Sequence, residues 1–158
     1  MRLWHKDLIP YLPDLQLKGQ WRECALIADA LAKNGTPNHL LVNNVTKYDP
    51  QEFGVYCQKV YDEMQRRNFN PSFDKMVRIL SDVITWDLKI DAMAACRIVT
   101  GTLGFGYKCW HNKEYIRVCM ANLYEKRFFG IGKSRITDEE WQRLCEGYKA
   151  ITGEEYKI

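Results

Sequence analysis

A chain of 158 residues, 46% of them hydrophobic, has the size of one domain and enough apolar mass to enclose a core without staples. Its formal charge of +3 is uneven: residues 136 to 158 hold six acids against three bases, which leaves +6 on the preceding 135 residues. No apolar run approaches the roughly 18 residues of a membrane-spanning helix, and the opening Met1-Arg2-Leu3-Trp4-His5-Lys6-Asp7 lacks a signal-peptide pattern, so membrane classes are excluded and a cytoplasmic location is expected.

The prolines of Leu8-Ile9-Pro10-Tyr11-Leu12-Pro13 remove donors and push their neighbours toward extended backbone, which predicts a loop or arm at the start. From Asp14 to Asn34, Leu17, Trp21, Cys24, Ala25, Ala28, Leu31 and Ala32 recur at three- and four-residue spacings. Asp14 is placed to cap this helix and Asn34-Gly35 to stop it. Asp49-Pro50 marks a second helix, with Phe53, Cys57, Val60, Tyr61 and Met64 as its stripe and its end near Arg67-Asn68. Asn70-Pro71 predicts a shorter helix through Leu80, and Asp91 to Val99 reads as another, followed by glycines at 101, 104 and 106. Asn112 caps a helix carrying Tyr115, Ile116, Cys119, Leu123 and Tyr124. Thr137-Asp138-Glu139-Glu140 has the form of a capping box for a last helix closing toward Gly153. With no alternating strand pattern, the fold class predicted is all-α. It is a compact orthogonal domain of about six helices spanning 1–158, with 1–135 as its body and 136–158 as an added acidic helix.

The six cysteines, at 24, 57, 96, 109, 119 and 145, form no Cys-x-x-Cys pair and are expected to be reduced core residues. His5, His39 and His111 have no metal-ligand spacing and are expected to be hydrogen-bonded or surface residues. Gly130-Ile131-Gly132-Lys133-Ser134 is not a phosphate loop, because Arg127 stands where the motif needs glycine.

Chemistry concentrates on the first helix. A helical side chain leans toward the N-terminus, so Glu23 lies over Gly19, where no side chain stands, and an open space is expected in front of the carboxylate. Arg22 should flank that space and Gln20 should complete a polar edge. Read as charge alone, Arg22 and Glu23 form a solvated helix face.

The stretch from Asp14 to Glu23, with Leu17 and Trp21-Arg22-Glu23, resembles the active-site helix of pyrimidine-dimer DNA glycosylases of the endonuclease V type. Met1-Arg2-Leu3 resembles that family's short N-terminal arm. Val45-Thr46 with the helix up to Arg66-Arg67-Asn68-Phe69-Asn70 resembles its second helix, and His111 through Leu123-Tyr124-Glu125-Lys126 its late helix. The resemblance implies a DNA repair glycosylase with abasic-site lyase activity, acting on double-stranded damaged DNA as a monomer, with no metal and no cofactor. The α-amine of Met1 would attack sugar C1′ and form an imine, with Glu23 assisting the elimination. Arg2, Arg22, Gln16 and Gln20 would hold the substrate. The basic and aromatic stretch with Lys126, Arg127, Lys133 and Arg135 would hold the DNA backbone.

The pattern is not complete. Arg2 replaces the family's small second residue, so Met1 is expected to be retained. Gln16 replaces a histidine, Leu15 stands where a glutamine is expected and Leu26 where a second arginine is. These losses leave a second reading open, a helical nucleic-acid-binding or protein-interaction module without catalysis.

Overall fold

Helix ends in this chain are set by short polar side chains and left-handed residues. In the computed structural model, which describes residues 1–86, 107, 109–129 and 135–157, five α-helices appear: α1 (Asp14–Asn34), α2 (Pro50–Arg66), α3 (Phe73–Trp86), α4 (Lys113–Phe129) and α5 (Asp138–Thr152). Two 3-10 helices, Lys6–Tyr11 and Asn43–Lys47, accompany them. The fold is all-α, with no strand among the described residues. No helix among them is long and apolar enough to cross a membrane.

Asp49 accepts from the Gln51 N–H at 2.9 Å and opens α2, as its place before Pro50 predicts. Asn112 Oδ1 accepts from the Tyr115 N–H at 2.9 Å and opens α4. Thr137 and Glu140 complete both halves of the capping box of α5. Gly35 stops α1 at φ +69° with its N–H on the Leu31 carbonyl, and Gly153 stops α5 at φ +75°. Both are positions where a Cβ would be strained.

Four local expectations need correction. The stretch before α1 is a 3-10 helix and not a loop; an i to i+3 turn accommodates Pro10, as Leu8 N–H bonds the His5 carbonyl and Leu12 N–H that of Ile9. Asp14 is the first residue of α1 and not the cap before it. α3 begins after Ser72, whose hydroxyl accepts from the Lys75 N–H at 3.2 Å, because Asn70 has φ +47° and lies outside the helix; α3 then continues past Leu80 to Trp86. Not all cysteines are core: Cys24, Cys57 and Cys119 are buried, Cys145 is half-buried and Cys109 is exposed. The helix expected over 91–99, the glycines at 101, 104 and 106, and Cys96 lie outside the described residues.

The chain clusters into two compact units, Met1–Leu3 with Lys18–Tyr107, and Trp4–Leu17 with Lys108–Ile158. In the first, α2 packs on α3, and Trp21, Cys24, Ile27, Ala28 and Leu31 of α1 and Phe53, Tyr56, Cys57 and Val60 of α2 are buried. Burial and the neighbouring Cys24 push the Cys57 thiol well up, the behaviour of an inert core sulfur. Near the end of α2, the buried Glu63 is gripped by Arg66 through two nitrogens at 2.7 Å and by Arg67 Nε at 2.6 Å. Burial raises its pKa, but these bonds outweigh that effect and hold it below the usual range.

In the second unit, α5 packs on α4 and on the first 3-10 helix. Gly147 of α5 sits directly against the Tyr11 ring, where an added Cβ would come within 2.3 Å of Cγ. Arg143 Nη2 donates to the Leu12 carbonyl at 3.1 Å. His5 stacks on His111 at 5.3 Å between ring centroids, and Tyr115 lies 5.1 Å from His111. His111 Nδ1 accepts from the Lys6 N–H at 2.9 Å. Both histidines are buried, and burial lowers both pKa values, that of His111 to about 2.

Candidate active site

The candidate site lies within the first unit and is built on α1. Trp21 and Cys24 face the core, which turns the intervening Arg22 and Glu23 away from it. Glu23 Oε2 accepts from the Arg2 backbone N–H at 2.9 Å, and its Oε1 lies 4.0 Å from the Met1 α-amine. Leu3 is fully buried and anchors the arm from the other side. One carboxylate therefore takes both the terminal amine and the next N–H, an arrangement that fixes where the amine points.

Gly19 itself is unobstructed: a Cβ built on it would meet nothing within 4 Å. The Met1 and Glu23 side chains are only about a quarter to a third exposed, at 26% and 31%. The pair is thus partly withdrawn from bulk water. Such partial desolvation strengthens the pull of the carboxylate on any positive charge formed beside it.

Arg22 is exposed and makes no ion pair among the described residues, so its guanidinium can flank the space. Arg2 meets Glu23 through its backbone, and its side chain is half-buried. Gln20 is buried, at 1% exposure, and does not line an open polar edge as expected; on α1 it falls on the side packed into the core. Gln16 is half-buried and belongs to the second unit. Leu15 and Leu26, the positions where polar residues are absent, are 48% and 59% exposed.

The basic stretch after α4 is also in the second unit. Lys126 and Arg135 are exposed. Arg127 pairs with Asp138 at 2.7 Å and lies over the Phe128 and Trp141 rings. Phe128 and Phe129 are 52% and 82% exposed, so neither belongs to the core. Lys133 lies outside the described residues.

One residue at the site escaped the sequence reading. His39 Nε2 stands 3.4 Å from the Met1 amine, although 38 positions separate the two in the chain. No periodicity reports such a contact. The only sequence signal is indirect: Thr36, Asn38 and Asn43, residues whose side chains bond nearby backbone, mark an ordered loop around it.

Neither the comparison with curated proteins nor that with solved structures finds a match. The resemblance drawn for His111 to Lys126 falls outside the stretch that a family model covers. That model, pyrimidine dimer DNA glycosylase, matches residues 1–77, a little under half of the chain, so the resemblance carried by Met1-Arg2-Leu3 and by Trp21-Arg22-Glu23 is borne out, and the segment holding the amine, the carboxylate and His39 is similar to that of pyrimidine dimer DNA glycosylases.

Proposed function

We propose that this protein is a DNA repair glycosylase with an abasic-site lyase step, acting on damaged pyrimidines in double-stranded DNA through an imine formed by the Met1 α-amine. The observation that carries the reading is the placement of that amine, 4.0 Å from Glu23 Oε1. An α-amine suits the task because its ordinary pKa of about 7.7 to 8.0 leaves a useful neutral fraction at physiological pH.

In this reading the amine lone pair attacks C1′ and the base departs. Glu23, held by the Arg2 N–H, keeps its negative charge beside the sugar as positive charge develops there. The imine then acidifies the C2′ hydrogen, whose loss expels the 3′ phosphate. Arg2 and Arg22 are assigned to the phosphates or base beside the site, and Gln16 keeps a substrate-holding role, whereas the buried Gln20 is given none. Lys126, Arg127, Lys133 and Arg135 are assigned to the DNA backbone, as the resemblance implies. A target base inside the stack must be extruded first, and a damaged site costs less to open.

The experiment is a strand-cleavage assay on duplexes carrying a cyclobutane dimer or an abasic site. Glu23→Gln is expected to lower cleavage by roughly 10²-fold or more while duplex affinity stays near that of the wild type. Acetylation of the Met1 amine should abolish cleavage. A protein that cleaves equally well after acetylation does not use this amine.

A further inference from the structure

Glu23 cannot perform every task the amine requires. The attacking nitrogen must shed a proton before its lone pair can close the imine, yet a carboxylate that takes this proton no longer offsets the positive charge of the sugar. Its Oε2 is also already committed to the Arg2 N–H. The His39 imidazole stands nearer the amine, its Nε2 at 3.4 Å against 4.0 Å for Glu23 Oε1.

His39 is held for such a role. Its backbone N–H donates to Asn43 Oδ1 at 2.8 Å, and its carbonyl accepts from the Val42 and Asn43 N–H groups, each at 2.9 Å. Asn38, at φ +50°, donates its N–H to Thr36 Oγ1 at 3.2 Å, and Thr36 Oγ1 bonds Asn43 Oδ1 at 3.4 Å. These bonds fix the loop after α1, so the ring does not reach the amine by chance sampling. The buried Nδ1 has no hydrogen-bond partner among the described residues, so no contact commits Nε2 to carrying the hydrogen in place of accepting one.

Resting on the imine chemistry proposed above, we infer that His39 is the proton acceptor for the Met1 amine, leaving Glu23 charged throughout. The N–C1′ bond forms from the amine lone pair as the C1′–base bond breaks, and the departing base keeps that pair and takes a proton from water. The nitrogen, now positive with two hydrogens, passes one to His39 Nε2. Its freed pair forms C=N as the C1′–O4′ bond breaks, and the imidazolium returns its proton to O4′. At an abasic aldehyde the same nitrogen proton goes to His39 after addition to C1′, the alkoxide takes it back from the imidazolium, and a second proton from water lets the oxygen leave as water as the nitrogen pair forms C=N.

The test is the single-turnover rate of borohydride-trapped adduct formation on an abasic duplex, using the full chain with free Met1. His39→Ala and His39→Gln are compared with wild type, with duplex affinity and melting as controls. Both variants should trap roughly 10²-fold or more slowly, since glutamine accepts a hydrogen bond but no proton. Imidazole in the buffer should restore His39→Ala in proportion to its concentration and leave wild type unchanged. A fast His39→Ala overturns the inference. So does a fast His39→Gln, which would make the residue a hydrogen-bond acceptor only, or a loss that imidazole does not repair, which would make it a positioning residue. A wild type that traps nothing refutes the imine reading itself, visible before any variant is compared.

Discussion

At the scale of single residues, the site rests on what one glycine leaves out and one carboxylate holds. Gly19 costs α1 about 1 kcal/mol relative to alanine, and nothing in the fold requires its missing side chain, since an added Cβ would meet no atom within 4 Å. Gly19→Ala is therefore expected to stabilise the protein by up to about 1 kcal/mol in urea unfolding. Its cleavage of an abasic duplex should fall, because the methyl enters the space the sugar needs. A variant that is both more stable and equally active would show that the space is not used. That Glu23 turns away from the core could be read from helical spacing alone, because the facing of a helical side chain is a local property. His39 could not, because its approach to Met1 depends on where an intervening helix and loop deliver it. Gln20 failed for a related reason: its polarity suggested an edge, while its place on α1 puts it on the packed side.

At the scale of elements, what was legible is what short-range chemistry decides. Asp14 to Asn34, the Asp49-Pro50 start and the Thr137 box each follow from a cap or a glycine within a few residues of the helix. The 3-10 helices, and the start of α3 at Ser72 instead of Asn70, were missed because proline and asparagine only bias the backbone; packing then selects among the allowed turns. The contact of α5 with the first 3-10 helix gives a direct check. Gly147→Ala would push a methyl into the Tyr11 ring and should destabilise the protein by about 1 to 3 kcal/mol, read as a lower urea midpoint at unchanged slope. The ring can move only by leaving its packing, so Tyr11→Ala combined with Gly147→Ala should recover part of the loss. The buried histidines of the same unit set a pH dependence. The folded pKa of His111 is near 2 because burial disfavours its charged form, whereas in the unfolded chain it titrates near 6.5. Between those values the unfolded state binds more protons, so stability is fully present above about pH 6.5 and falls as the pH drops, by at most about 1.4 kcal/mol per unit for this group. Glu63, whose pKa is lowered, loses its contribution only at more acid pH. From pH 7 to 5 the decline should therefore be shallower in His111→Gln than in wild type.

At the scale of the whole molecule, charge decides how the protein meets a polyanion. The excess of +6 on residues 1 to 135 is partly countered by the acidic tail, and the tail acts locally through Asp138, which pairs with Arg127 at 2.7 Å. Of the basic residues assigned to the DNA backbone, the exposed Lys126 and Arg135 should therefore matter more than Arg127. Lys126→Ala and Arg135→Ala are each expected to weaken duplex binding and to lower the slope of log K against log salt by about 0.9. Arg127→Ala should change that slope less and cost mainly the packing of its stem on Trp141. Equal slopes for all three would mean that Asp138 releases Arg127 when DNA binds.

The central claim is that the Met1 amine is the nucleophile. It is tested most directly by trapping the protein, purified with that amine free, on an abasic duplex with borohydride and mapping the adduct by peptide mass spectrometry. A single modification on the α-nitrogen of Met1, absent when the amine is acetylated beforehand, is the expected result. An adduct on a lysine side chain, or none from folded protein whose Met1 is free, would contradict it.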